Sequence, residues 1–366
     1  MRSFRIYFPL LAVLLFLLPF QTRAGEADTE KLNVGELIIG HIGDAHEWHI
    51  ASIDDKHLTI PLPVILWHEG RLHVFMSSKF QHGKARYKGF GLGGKADGED
   101  LAGKIICVDE NGKYTGQRPL DFSITKNVLY LFMIAALLIW LVFYMKKISV
   151  KRRNQPPRGL QNAMEILIDF VKTEIVESSI ESSKSAKYLP FLLTVFFFIL
   201  FSNVLGIVPI FPFGANLTGN IAATMVLAVV TFLVTTFSGN KGYWKGIFNT
   251  PGTPWWLKFP IPLMPIIEIV SMLLKPFVLM IRLFANIMAG HIIILSFVCA
   301  IFLFGEMSVG LAYGVAPVSV LFAAVLDILE LLVAFIQAYV FTLLSAVYIG
   351  MATGKGHEET EIKKTE

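Results

Sequence analysis

The chain has 366 residues, 54% of them apolar and only 16% charged, with 30 Phe and a mean hydropathy of +0.60. That balance excludes an ordinary soluble domain and a disordered chain, and it predicts a polytopic membrane protein. The net charge of +4 is mild, and its distribution carries more information than its sum. Two cysteines, Cys107 in a polar region and Cys299 in an apolar one, are too differently placed to predict a disulfide or a zinc site.

Residues 1–24 read as a secretory signal. Arg2 and Arg5 precede an apolar core over 6–20, and Thr22-Arg23-Ala24 supplies a small-residue cleavage site. An uncleaved first membrane helix is the alternative, for which the core is short. Either reading places residues 25–125 outside the cytoplasm. This region holds seven of the nine histidines: His41, His46, His49, His57, His68, His73 and His82. Strand-like runs occur at 57–66 and 72–76 with Glu69-Gly70 as a turn between them, and at 104–108 before an Asn111-Gly112 hairpin signal. A small strand-containing domain is predicted. His46 and His49, three apart, invite a metal reading; packing or hydrogen bonding is the expected role, and no metal is predicted. The glycines over 89–94 read as a loop rather than a phosphate cradle, because no strand-then-helix context surrounds them.

The first clear span covers 128–144 and is followed by Lys146, Lys147, Lys151, Arg152, Arg153 and Arg158. The positive-inside rule makes that loop cytoplasmic, in agreement with the signal segment. Anchoring against anionic lipid accounts for the basic run, so no nucleic-acid partner is predicted. Residues 160–186 are amphipathic, with Leu160, Met164, Leu167, Ile168, Val171 and Ile175 at helical spacing. They predict a helix along the cytoplasmic interface, or one packed on a soluble partner. Two spans, 188–208 and 220–237, follow, joined by a Pro/Gly-rich outer turn. Asn203, Asn216, Thr218 and Asn220 near that turn either line an aqueous entrance or bond turn backbone. Residues 238–262 return to the cytoplasm, with Trp255, Trp256 and several prolines marking a rigid interfacial loop.

The last third holds long apolar stretches over about 263–304 and 318–350, with Pro276 and the 305–317 region as expected breaks. Helices of that length must tilt, bend or leave the bilayer. Arg282 sits near the middle of the first. A charge there costs at least ~2.5–3.5 kcal/mol by insertion scales, so it needs a reason to be present. Glu268, Lys275 and Arg282 recur every seven residues and share a helical face, which Asn286 extends. Ala285, Ala289 and Gly290 would let another helix approach. In the second stretch Glu330 and Gln337 are also seven apart, with Asp327, Phe341, Ser345 and Tyr348 near that face. Such a polar line in a membrane helix marks an ion path more often than a structural pair. His291, nine residues beyond Arg282, points to the opposite side of its helix.

The Arg-Leu-Phe-Ala-Asn run at 282–286 with Ala-Gly-His at 289–291, and the last helix with Glu330, Gln337 and Ala-Tyr-Val-Phe-Thr-Leu-Leu at 338–344, resemble the a subunit of the F-type ATP synthase. The resemblance covers about 125–350. It implies an all-α polytopic fold of about five membrane helices plus one interfacial helix, with the last two long and tilted. It implies a c-subunit ring, b subunits of the peripheral stalk and the remainder of the F1Fo complex as partners, in a bacterial inner membrane and with no cofactor. By the same resemblance Arg282 is the essential cation, His291, Glu330, Gln337 and the outer asparagines belong to the outer proton path, and Asn286 belongs to the proton path generally. Glu268 and Lys275 are candidates for the inner path, with an interfacial anchor as the alternative for Glu268 and a structural or snorkelling role the favoured reading of Lys275, and Asp327 is a candidate for the path generally. A structural Arg282–Glu330 ion pair is the alternative for those two residues. No Gly-x-x-x-x-Gly-Lys-Ser/Thr loop occurs, so nucleotide chemistry is expected elsewhere. A proton-coupled secondary transporter and a membrane assembly scaffold are the competing functions.

Overall fold

The computed structural model describes residues 35, 38, 40, 42–53, 56–83, 85–94, 97–98, 101–109, 113–152, 155–208, 213–248 and 263–354. The expected signal segment, the Asn111-Gly112 turn, the Trp255–Trp256 loop and the charged tail after Gly354 lie outside these residues.

The amino-terminal domain is built from short antiparallel strands. β1 (Glu47–Ile53) pairs with β2 (Lys56–Pro61). β3 (Pro63–His68) lies between β4 (Arg71–Met76) and, further along the chain, β7 (Leu120–Asp121). β5 (Phe90–Leu92) pairs with β6 (Ile105–Cys107). The single strand expected over 57–66 is therefore two strands. Pro61 and Pro63 flank Leu62, and neither proline can donate to a ladder, so pairing switches partner there. The loop expected over 89–94 contains β5, because Gly91 lies between Phe90 and Leu92 and pairs opposite Ile106. The Glu69-Gly70 turn forms as expected. Both residues have positive φ, 49° and 75°, which matches the twist of a tight hairpin. Val64, Leu66, Phe80, Phe90, Ile105 and Cys107 form the domain's core.

Five helices are long and apolar enough to cross a membrane among the described residues: α1 (Lys126–Lys151), α3 (Ser182–Ile207), α4 (Ile221–Ser238), α6 (Leu263–Met307) and α7 (Val309–Thr353). The amphipathic stretch forms α2 (Leu160–Phe170) and runs on as a π-helix, Val171–Glu177, with Met164, Val171 and Ile175 buried in the main core. The short α5 (Lys241–Phe248) follows α4. Local chemistry fixes several ends. Thr125 caps α1, Asn220 accepts from the Ala222 amide to cap α4, and Gly354, at φ 118°, ends α7 in the left-handed region.

α6 and α7 have 45 residues each. At ~1.5 Å per residue each is about 67 Å long, more than twice a ~30 Å hydrocarbon core, so they must tilt or project from it. The expected break at Pro276 is absent. The helix continues through it, and Pro317 likewise lies inside α7; the chain turns at Ser308 alone. Proline removes one ladder bond, and packing against neighbouring membrane helices offsets that loss.

The helix ends meet in two groups. Lys184 Nζ and Asn240 Nδ2 both donate to the Thr353 carbonyl, at 2.9 and 3.3 Å, which gathers the start of α3, the end of α4 and the end of α7. At the other end, Trp48 of β1 is buried with Tyr130 and Ile134 of α1 and with Ala215 and Leu217 of the α3–α4 turn. Asp44 Oδ1 accepts from the Asn127 amide at 3.1 Å, and the Lys126 amide donates to Ala45 O at 2.9 Å. The strand domain is thus fastened to the start of α1. Ile38 and Ile42 pack on Cys299 of α6.

Candidate functional site

α6 presents two faces of opposite character. Leu279, Leu283 and Ile287, four apart, are almost wholly buried and form its packed stripe. Arg282 lies on the exposed side with Val278, Ile281, Ala285, Asn286 and Ala289. Among the described residues no carboxylate forms an ion pair with Arg282. The guanidinium is therefore a fixed positive charge on a surface otherwise made of aliphatic and small side chains.

Glu330 has a different partner. Its Oε1 lies 2.5 Å from Nδ1 of His291, with 4% of the glutamate side chain exposed. The two atoms are close but not aligned as a hydrogen bond, and among the described residues neither has another hydrogen-bond partner. Gly290 makes this approach possible. A Cβ there would sit 3.0 Å from Glu330 Oε1 and 3.1 Å from its Cδ. Gln337, Phe341 and Ser345 are buried along the same face of α7, in agreement with the spacing of the sequence. Asp327 is exposed instead, though its carboxyl is within electrostatic reach of Glu330 and His291.

The profile of the ATP synthase A chain family matches residues 128–350, which takes in all five membrane helices and both of these groups. The chain belongs to this family. A relative described as ATP synthase subunit a from Chloroherpeton thalassium is 42% identical over 246 residues, 65% of this chain and 68% of its own length. ATP synthase subunit a 2 from Chlorobaculum tepidum is 44% identical over 254 residues, 67% of this chain and 68% of its own. ATP synthase subunit a from Myxococcus xanthus is 42% identical over 248 residues, covering 66% and 77%. Residues 37–122 match a separate family, a domain of unknown function, DUF8433. The strand domain is thus an addition to the membrane part of this ATP synthase A chain family member.

A second polar group lies toward the opposite end of α6 in this family member. Lys275 Nζ stands 5.4 Å above the Tyr348 ring, and both lie within electrostatic reach of further charges, Glu268 for Lys275 and Arg282 for Tyr348. Burial first, and then the Glu268 carboxylate, push the Tyr243 phenol of α5 above its ordinary range. A small cavity opens here among Thr231, Thr235, Thr236, Tyr243, Lys275 and Tyr348. The Oγ1 atoms of Thr231 and Thr236 have no hydrogen-bond partner among the described residues. Sequence reasoning passed over these residues. Their signal was the spacing of Thr231 and Thr235 on an otherwise apolar helix, which puts both on one face.

The outer asparagines bond in and around the α3–α4 turn. Asn220 caps α4, and Asn216 Oδ1 accepts from the Gly219 amide at 2.8 Å. Asn203 Oδ1 accepts from the Thr218 hydroxyl at 2.6 Å. The Nδ2 atoms of Asn203 and Asn216 and Oγ of Ser202 are buried without a hydrogen-bond partner among the described residues.

Proposed function

We propose that this chain carries protons across the membrane as the a subunit of an ATP synthase, with Arg282 dividing two aqueous half-channels. The observation that carries the reading is the exposed, unpaired Arg282 on a face of small and aliphatic side chains, with His291 and Glu330 packed on the other side. The surface suits a neighbouring ring of c subunits, each presenting a carboxylate that must be neutral to face lipid.

In this mechanism a proton enters past the outer asparagines Asn203, Asn216 and Asn220 and reaches His291 and Glu330, helped by Gln337, Asn286 and Asp327. A His–Glu pair at 2.5 Å can hand a proton from one side chain to the other with little rearrangement. The proton then neutralises a ring carboxylate, which rotates through lipid. At the inner half-channel, lined by Glu268 and Lys275, the carboxylate loses its proton and is drawn to Arg282. The guanidinium stays charged at any physiological pH and repels protons that would otherwise cross directly. A proton crossing 100 mV releases about 2.3 kcal/mol, which ring rotation passes on. The chain itself makes and breaks no covalent bond to nucleotide; that chemistry belongs to the rest of the complex, to which b subunits also tie it.

The orientation that fits is a bacterial inner membrane with residues 25–125 outside and the carboxy terminus in the cytoplasm. The basic residues after α1 and the gathering of Lys184, Asn240 and Thr353 at one end support it. Residues 1–24 are its signal segment, 126–353 the membrane domain and 354–366 a cytoplasmic tail.

ATP-driven proton pumping in inverted vesicles, comparing Arg282→Ala with the unchanged complex, tests the assignment. Pumping should be lost, and passive leak should rise once the soluble ATPase part is stripped. Normal pumping without leak from an assembled complex would return Arg282 to a structural role.

A further inference from the structure

The sheet β4–β3–β7 has one face on the domain core and another that none of the described residues covers. Antiparallel partners point to the same side, so Trp67 shares a face with Leu72 on one flank and Leu120 on the other. Val74, Met76 and Phe122 continue that face, and all six side chains are largely exposed, Phe122 at 65% and Trp67 at 45%. Val64 and Leu66 point the opposite way into the core. A soluble surface rarely carries a contiguous apolar patch of this kind without a partner.

Its position relative to the membrane is constrained by the chain. Phe122 is four residues before Lys126, the first residue of α1, so the two are at most about 14 Å apart. The connection is also tied down. The Phe122 amide donates to Ile65 O at 2.9 Å, the Ile124 amide to Pro63 O at 3.0 Å, and the Ile65 amide to Ser123 Oγ at 3.1 Å. The sheet cannot swing away from the start of α1 without breaking these bonds. The patch therefore lies close to the start of α1, whose first two turns carry exposed Leu131 and Phe132.

We propose that this face rests on the bilayer, with its Trp67, Leu72, Val74, Met76, Leu120 and Phe122 side chains in the interfacial layer of the leaflet on the domain's own side. Trp at the boundary and an Arg at the hairpin tip, Arg71, suit that layer, where an apolar ring and a snorkelling cation are both accommodated. The lipid contact holds the added domain against the membrane while Trp48 and Asp44 hold it to the helices. This goes beyond the proton-path reading and does not depend on it.

The test uses the assembled complex in liposomes with a nitroxide on Val74→Cys, and on Lys79→Cys for comparison. Lys79 reaches over the Tyr87 ring, which packs on the core side of the sheet through Phe75. Both native cysteines are buried. The Val74 label should be relaxed several-fold more by lipid-soluble oxygen than by a water-soluble nickel chelate, and the Lys79 label should show the reverse. Equal access of the chelate to both labels would overturn the proposal. So would a Val74 label shielded from both relaxants, because that means a protein partner, whether another subunit or a second copy, covers the face. Leu72→Cys, opposite Trp67, gives the same readout if Val74→Cys does not assemble.

Discussion

Glu330 meets His291 and not Arg282. The carboxylate lies 2.5 Å from the imidazole, buried between α6 and α7, while the guanidinium nine residues earlier on α6 faces outward. α6 thus carries the buried partner of Glu330 and an exposed charge on different sides. The separation rests on Gly290, whose missing side chain leaves the space that the glutamate occupies.

Because the two side chains touch, their substitutions should not add. His291→Ala and Glu330→Gln are each expected to slow ATP-driven proton pumping. The double variant should then be no slower than the worse single one by more than a small factor, since contacting residues couple by roughly 0.5–3 kcal/mol. Pumping rates of the four complexes check this, and strictly multiplicative losses would argue for two independent roles.

Gly290→Ala places a methyl against the carboxyl of Glu330, which must yield by a few tenths of an ångström. Pumping should fall while the complex still assembles. Gly290→Val, with two more carbons at the same point, should cost about 1–3 kcal/mol of packing and lower the melting temperature as well. Thermal unfolding of the solubilised complex separates the two outcomes.

Gly350 is more demanding. A Cβ there would overlap the Ser179 carbonyl, which is backbone and cannot rotate aside. Gly350→Ala should therefore part α7 from the end of the π-helical segment and lower the amount of assembled complex in the membrane. Quantifying the chain in purified membranes tests it; undiminished assembly would show that the contact relaxes cheaply.

Lys275 over Tyr348 is a cation–π contact of about 0.5–2 kcal/mol. Tyr348→Phe retains the ring and should pump near the unchanged rate, whereas Tyr348→Leu should not. If both pump poorly, the hydroxyl rather than the ring is what matters there; if both pump normally, neither is needed.

The contact between β7 and the segment leading into β1 responds to acid. Partial burial raises the pKa of Asp121, but the hydrogen bonds from His46, at 2.9 Å, and from Ser123 prevail and hold it below the usual carboxylate value. Its stabilising contribution is therefore complete above the unfolded value of about 3.9 and is lost as pH falls through the lower, folded value. Thermal unfolding followed from about pH 5 to about pH 3 should show a decline that Asp121→Asn, lacking the group that titrates, does not share.

Much of this was open to inspection in the residues alone. Membrane spans are legible because twenty apolar residues in a row have few other uses, and the seven-residue spacings of Glu268, Lys275 and Arg282 and of Glu330 and Gln337 follow from helix geometry. That His291 and Arg282 point apart follows from the same arithmetic. The strand domain was harder, because short strands take their partners from elsewhere in the chain: β3 pairs with β7 across more than fifty residues, and no local pattern says so. Pro276 misled for a related reason, since its local preference to end a helix is overridden by packing that only neighbouring helices provide. The sequence by itself determined which residues are charged, which segments cross the membrane and which side chains share a helical face. Only the tertiary structure decided that Glu330 takes His291 as its partner, that Asp327 is exposed, and that Trp48 and Asp44 fasten the added domain to α1. Periodicity fixes directions within one helix, but which helix lies opposite depends on how several of them pack together.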